Sequence, residues 1–160
     1  MHERLIDASN ELADVEIEAG KLVDALALIR NRPDMFTDTM GRLAVQGVAS
    51  AVEKIYGACE RILVLISKQI DRYSIDKTGS WHRLLILRMS HPFGDTRPAV
   101  LSAESAETID TLRAFRHRER NSYGSAIDFS RVLELADETI LAPALLRADL
   151  ERLSVFFQSK

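Results

Sequence analysis

Between Leu112 and Gly124 the chain reads LRAFRHRERNSYG, and most of these side chains can do chemistry. Arg113, Arg116, Arg118 and Arg120 stand against one acid, Glu119, with His117 among them. Arginine grips phosphate through paired hydrogen bonds and never loses its charge. Histidine can carry a proton near neutral pH. On a helix, Arg113, Arg116, Arg120 and Tyr123 step by three, four and three residues and so share one face. His117 and Asn121 form the adjacent row. Such a face could hold phosphate groups. The plainer expectation for the same residues is a solvated helix end whose cations complement the C-terminal dipole. Two points need a reason: no residue from Arg116 to Ser122 is apolar, and position 121 is an asparagine.

The elements that must carry this stretch are helical. Ile109, Leu112 and Phe115 are spaced to face a core, Ser102 can cap the helix start, and Glu104 and Glu107 have the right sign for its first turns. That helix is expected to stop near Gly124. Upstream, Leu5, Ala8, Leu12, Val15, Ala19, Leu22, Leu26 and Ile29 alternate steps of three and four, as do Val45, Val48, Val52, Ile55, Cys59, Ile62 and Ile66. Asn31 to Thr37, with Pro33, breaks the pattern between them. Two long helices joined by a short polar turn are expected to pack antiparallel. Ser80 is a candidate cap for a short helix from Trp81 to about Met89, and HPFGDTRP reads as loop. A last helix from about Asp128 shows Pro143, Leu146, Leu150, Leu153 and Phe157 on one stripe, and Pro143 should kink or split it. No segment reads as a convincing strand. The expectation is an all-α antiparallel bundle of four to five helices, one domain over residues 1–160.

Composition narrows the function classes. The chain has 160 residues, 46% hydrophobic and 28% charged, which suits a packed globular domain. Its formal net charge of -3 means that any basic site is local. No apolar run approaches the ~20 residues that span a bilayer. The N-terminal MHERLIDASNE lacks the apolar core of a signal peptide. One cysteine, Cys59, has no internal disulfide partner and lies on an apolar stripe, so a core position in a reducing cytoplasm is expected. His2, His82, His91 and His117 show no metal-ligand spacing, and no cofactor-binding motif is visible. Trp81 reads as a core anchor and His82 as a surface residue.

The arginine-rich stretch resembles the terminal motif of the HEPN superfamily, in particular of its HepT-like ribonuclease toxins. That motif is Arg, four to six residues, His, any residue, Tyr, commonly within FRH..RHxYG. The matching residues are Phe115, Arg116, His117, Arg120, Asn121, Tyr123 and Gly124. VEKIYGACERIL, GSWHRLLILRM and RPAVLSAESAETIDTLRAFRH extend the likeness over roughly residues 43–157.

The resemblance implies a HEPN-like bundle that cleaves RNA, tRNA or mRNA, without a metal, in a cleft shared by the motif helices of a homodimer. Arg116 and the residue at position 121 would be catalytic, with Arg113, His117 and Arg120 binding substrate. It also implies a type VII-like toxin–antitoxin pair, in which a minimal nucleotidyltransferase (MNT) antitoxin adds AMP to the motif tyrosine, here Tyr123. Asn121 departs from the motif histidine: it can hydrogen-bond but does not titrate, so acid-base catalysis from that position is absent or severely reduced. A deliberately inactivated toxin and a naturally degenerate member kept for binding both fit. The alternatives are a non-catalytic HEPN module that binds RNA or a partner, and a purely structural dimerisation bundle.

Overall fold

The three-four stripes become two long helices packed side by side. A computed structural model describes the backbone of residues 1–121 and 129–160, and the side chains of 1–116 and 129–160. Six α-helices lie among the described residues: α1 (Ile6–Asn31), α2 (Asp38–Gln69), α3 (Trp81–Met89), α4 (Ala103–Asn121), α5 (Phe129–Thr139) and α6 (Ala142–Gln158). Every residue of the two upstream stripes is buried. Polar pairs along their flank set the direction: Asp7 meets Gln69 at 2.6 Å, Glu11 meets Arg61 at 2.7 Å and Glu18 meets Lys54 at 2.7 Å. Residue numbers rise along α1 as they fall along α2, so the pair is antiparallel.

The remaining helices pack around that pair and share its apolar core. α6 is held to α1 by Arg147 on Glu16, two contacts of 2.5 Å, and this hydrogen bonding keeps the Glu16 carboxyl below the usual carboxylate range. Pro143 splits the last stripe rather than kinking it: α5 ends at Thr139, and the proline takes an opening position of α6, where its missing N–H costs nothing. Cys59 is fully buried, and burial pushes its thiol up to about 12.

Two caps behave differently. Ser102 Oγ accepts from the Ser105 N–H at 3.1 Å, as a cap should. Ser80 does not cap α3 with its side chain; its carbonyl accepts from Arg83 and Leu84 instead, because its backbone (φ -89, ψ 29) is not extended. α2 also starts earlier than its apolar stripe. Its Gly41 passes close under the preceding turn, where a Cβ would come within 2.6 Å of the Phe36 carbonyl oxygen. Among the described residues there is no strand, only an isolated bridge between Phe93 and Arg97.

That bridge belongs to the loop that closes α3 onto the end of α2. Arg97 is 1% exposed and grips Asp71 with Nε and Nη2, at 2.6 and 2.8 Å. Its Nη1 donates to the carbonyls of His91 and Pro98. Arg88 adds a 2.8 Å bond to the same carboxylate and lies over the rings of Tyr73 and Phe93.

Candidate functional site

Arg116 sits on α4 one residue beyond Phe115, the last buried apolar residue of that helix's stripe. Its position at the edge of the core lets it reach α2. There it meets Glu60, whose side chain is only 11% exposed, with Nη1 donating to Oε2 at 3.5 Å. The same guanidinium stands 5.6 Å from the centroid of the Tyr56 ring, within cation–π range. Tyr56 is one helical turn before Glu60 and donates its hydroxyl to Oε1 at 2.8 Å. Burial first, and then the neighbouring carboxylate, raise the Tyr56 phenol above its ordinary value, so it remains a donor.

The third partner of Glu60 comes from α3. His82 places Nδ1 on Oε1, and its ring stacks on Trp81 with centroids 3.8 Å apart. His82 is therefore not the plain surface residue expected from the sequence. Its side chain is about two-thirds covered and tied to the acid that holds Arg116. Trp81 is partly buried against the core, with Lys77 Nζ 5.2 Å from its ring centroid. Beside this network lies an open hollow of about 230 Å³, lined by Glu11, Glu60, Arg61, Lys77 and Trp81 over the apolar Val64 and Leu65.

Three helices thus bring Tyr56, Glu60, His82 and Arg116 together. Arg113 stands on the same face of α4 but turns its guanidinium to Asp110, at 2.6 Å. That hydrogen bond raises its affinity for its proton. Both described arginines of the stretch are thus paired with a carboxylate, and the basic face is more neutralised than its sequence suggests. The side chains of His117, Arg120 and Asn121, and all of Tyr123, lie outside the described residues, so their expected roles rest on the sequence. Among the described residues no group of three or more His, Cys, Asp and Glu is placed to hold a metal ion, and no helix is long and apolar enough to cross a membrane.

Glu60 left a signal in the sequence. Tyr56, Glu60, Leu63 and Ser67 step by four, three and four, and all four are buried. An acid in the middle of such a row has to be paired to be tolerated. The partners could not be read in the same way, because His82 and Arg116 lie 22 and 56 residues further on.

The described helices make an all-α bundle. A family model described as HepT-like protein matches residues 47–157. The chain belongs to this HepT-like family of the HEPN superfamily. No curated protein and no solved structure matched it.

Proposed function

We propose that the chain is the toxin of a type VII-like toxin–antitoxin pair: a metal-independent RNA endonuclease acting as a homodimer in the cytoplasm and weakened by Asn121. The observation that carries this reading is the anchored Arg116. Arg116, which matches the arginine of the motif that the stretch resembles, is held on α4 beside Glu60 and Tyr56. A fixed guanidinium can neutralise charge that builds on phosphorus when a ribose 2′-hydroxyl attacks the adjoining phosphate. In this reading Arg113, His117 and Arg120 bind the RNA backbone and Asn121 holds the position from which a histidine would move a proton. The test is incubation with total RNA and with tRNA in EDTA. Slow cleavage is expected, with loss of both cleavage and low-salt RNA binding in Arg116→Ala. Equal binding and cleavage by the two proteins would remove the reading.

The partner in this reading is a nucleotidyltransferase antitoxin that adds AMP to Tyr123. Tyr123 follows Arg120 by three residues, so added phosphates would meet cations on the same helical face. Incubation with the partner, ATP and magnesium should raise the mass by whole AMP units, and Tyr123→Phe should abolish the gain. Equal modification of the variant would place the acceptor elsewhere.

One observation favours a second reading. Asn121 cannot titrate, so the chain could serve as a non-catalytic HEPN module that binds RNA or a partner through the same face. RNA binding that depends on Arg116, with no cleavage under any condition, would select it.

A further inference from the structure

We infer that His82, oriented by Glu60, is a catalytic residue that supplies the proton acceptor which Asn121 cannot. This inference rests on the ribonuclease reading above.

Glu60 Oε1 faces His82 Nδ1, and an ionised carboxylate can only accept. Nδ1 therefore carries the proton, and in the neutral ring the lone pair falls on Nε2. Among the described residues the ring's one hydrogen bond is that to Glu60, so none of them claims Nε2. Stacking on Trp81 fixes the plane of the ring. A carboxylate behind an imidazole also stabilises the imidazolium that forms when the ring takes a proton. The same carboxylate holds Arg116 through its other oxygen. Glu60 thus couples a proton acceptor to a cation that can meet a phosphate. Among the described residues the charged group that meets the ring is Glu60 from α2; Tyr56 of α2 and Arg116 of α4 bear on it through Glu60, and Lys77, from the loop before α3, lies over the neighbouring Trp81 ring.

The step balances without an added reagent. His82 Nε2 takes the proton of the ribose 2′-hydroxyl while the 2′-oxygen forms a bond to the adjoining phosphorus. The bond from phosphorus to the 5′-oxygen breaks with its electron pair on that oxygen, which takes a proton from solvent water. The hydroxide so formed is neutralised by the imidazolium, and the ring returns to its starting state. The products are a 2′,3′-cyclic phosphate and a 5′-hydroxyl. Arg116 neutralises charge on the non-bridging oxygens.

The experiment compares the parent chain with His82→Asn, Arg116→Ala and Asn121→His on total RNA in EDTA, over about pH 5 to 8, where histidine changes charge. Asparagine puts an amide where Nδ1 stands, which keeps the contact with Glu60 and removes the titrating ring. His82→Asn should lose cleavage by about 10²-fold and lose the rise of rate with pH, while its thermal unfolding midpoint holds. An unchanged rate and pH profile in His82→Asn, with Arg116→Ala inactive, would overturn the role of His82 and leave the ribonuclease reading standing. An inactive parent beside an active Asn121→His would do the same. No cleavage by any of the proteins would remove the ribonuclease reading itself, and this role with it. Should His82→Asn lose its fold, His82→Ala is assayed with added imidazole. Return of cleavage supports the role, and a folded variant that stays inactive overturns it.

Discussion

Asn121→His is expected to raise RNA cleavage by about 10²–10⁴-fold, the usual worth of a positioned acid or base. The backbone of α4 runs through Asn121, so the new imidazole would project from a helix that already presents Arg116. Phosphodiester cleavage by internal attack needs two proton transfers. In the proposed chemistry His82 handles the first, and solvent water supplies the second. A histidine at position 121 would protonate the departing oxygen directly. The gain should persist in EDTA and should appear as growth arrest on expression. Asn121→His combined with Arg116→Ala should fall back close to inactivity, because no fixed cation would then meet the charge on phosphorus. Equal rates for the parent chain and its Asn121→His variant would show that position 121 is not where the reaction is limited.

The largest stability effect is expected at Asp71. Its side chain is fully buried and carries two arginines, Arg97 with Nε and Nη2, and Arg88 with Nε. Removing one member of a buried ion pair strands a charge, at about 3–5 kcal/mol. Asp71→Ala should therefore lower the unfolding midpoint by roughly 6–20 °C for a chain of this size. The apolar replacement Asp71→Leu with Arg97→Met should recover part of the loss, since the fully buried Arg97 charge is gone and only Arg88, a quarter exposed, loses its carboxylate. Thermal unfolding followed by circular dichroism checks both. A midpoint unchanged in Asp71→Ala would mean that the pair contributes nothing. A double variant as unstable as the single would mean that shape, not charge, governs this corner.

Much of the fold was legible because packing writes itself in short spacings. The stripes from Leu5 to Ile29 and from Val45 to Ile66 are local patterns, and they became the buried faces of α1 and α2. Pro143 announced a break because its ring forbids an interior position. Ser80 misled because residue type cannot report backbone angles, and at φ -89, ψ 29 the hydroxyl makes no cap bond. The candidate site was half legible. Arg116 stood out as a candidate because it matches the arginine of the motif that the stretch resembles. Glu60 and His82 did not, because what matters about them is whom they meet. The residues concerned are scattered over α2, α3 and α4, and no spacing rule links them. Asp71 and Arg97 were hidden for the same reason, 26 residues apart on either side of a helix and a loop.

Glu60 has one more consequence. In the proposed ribonuclease, Arg116 already has an anion for company before any nucleic acid arrives, at 3.5 Å. An incoming phosphodiester therefore exchanges one counter-ion for another, and gains only the difference between the two pairings. The 3.5 Å contact is longer than a strong charge-assisted bond, typically ~2.7–2.9 Å, so it yields readily to a better-placed oxygen. The carboxylate behaves as a resident competitor, setting a floor that stray phosphate in the cell must exceed before it can occupy the guanidinium. A long polyanion clears that floor through its other contacts, whereas a small ion has only this one to offer.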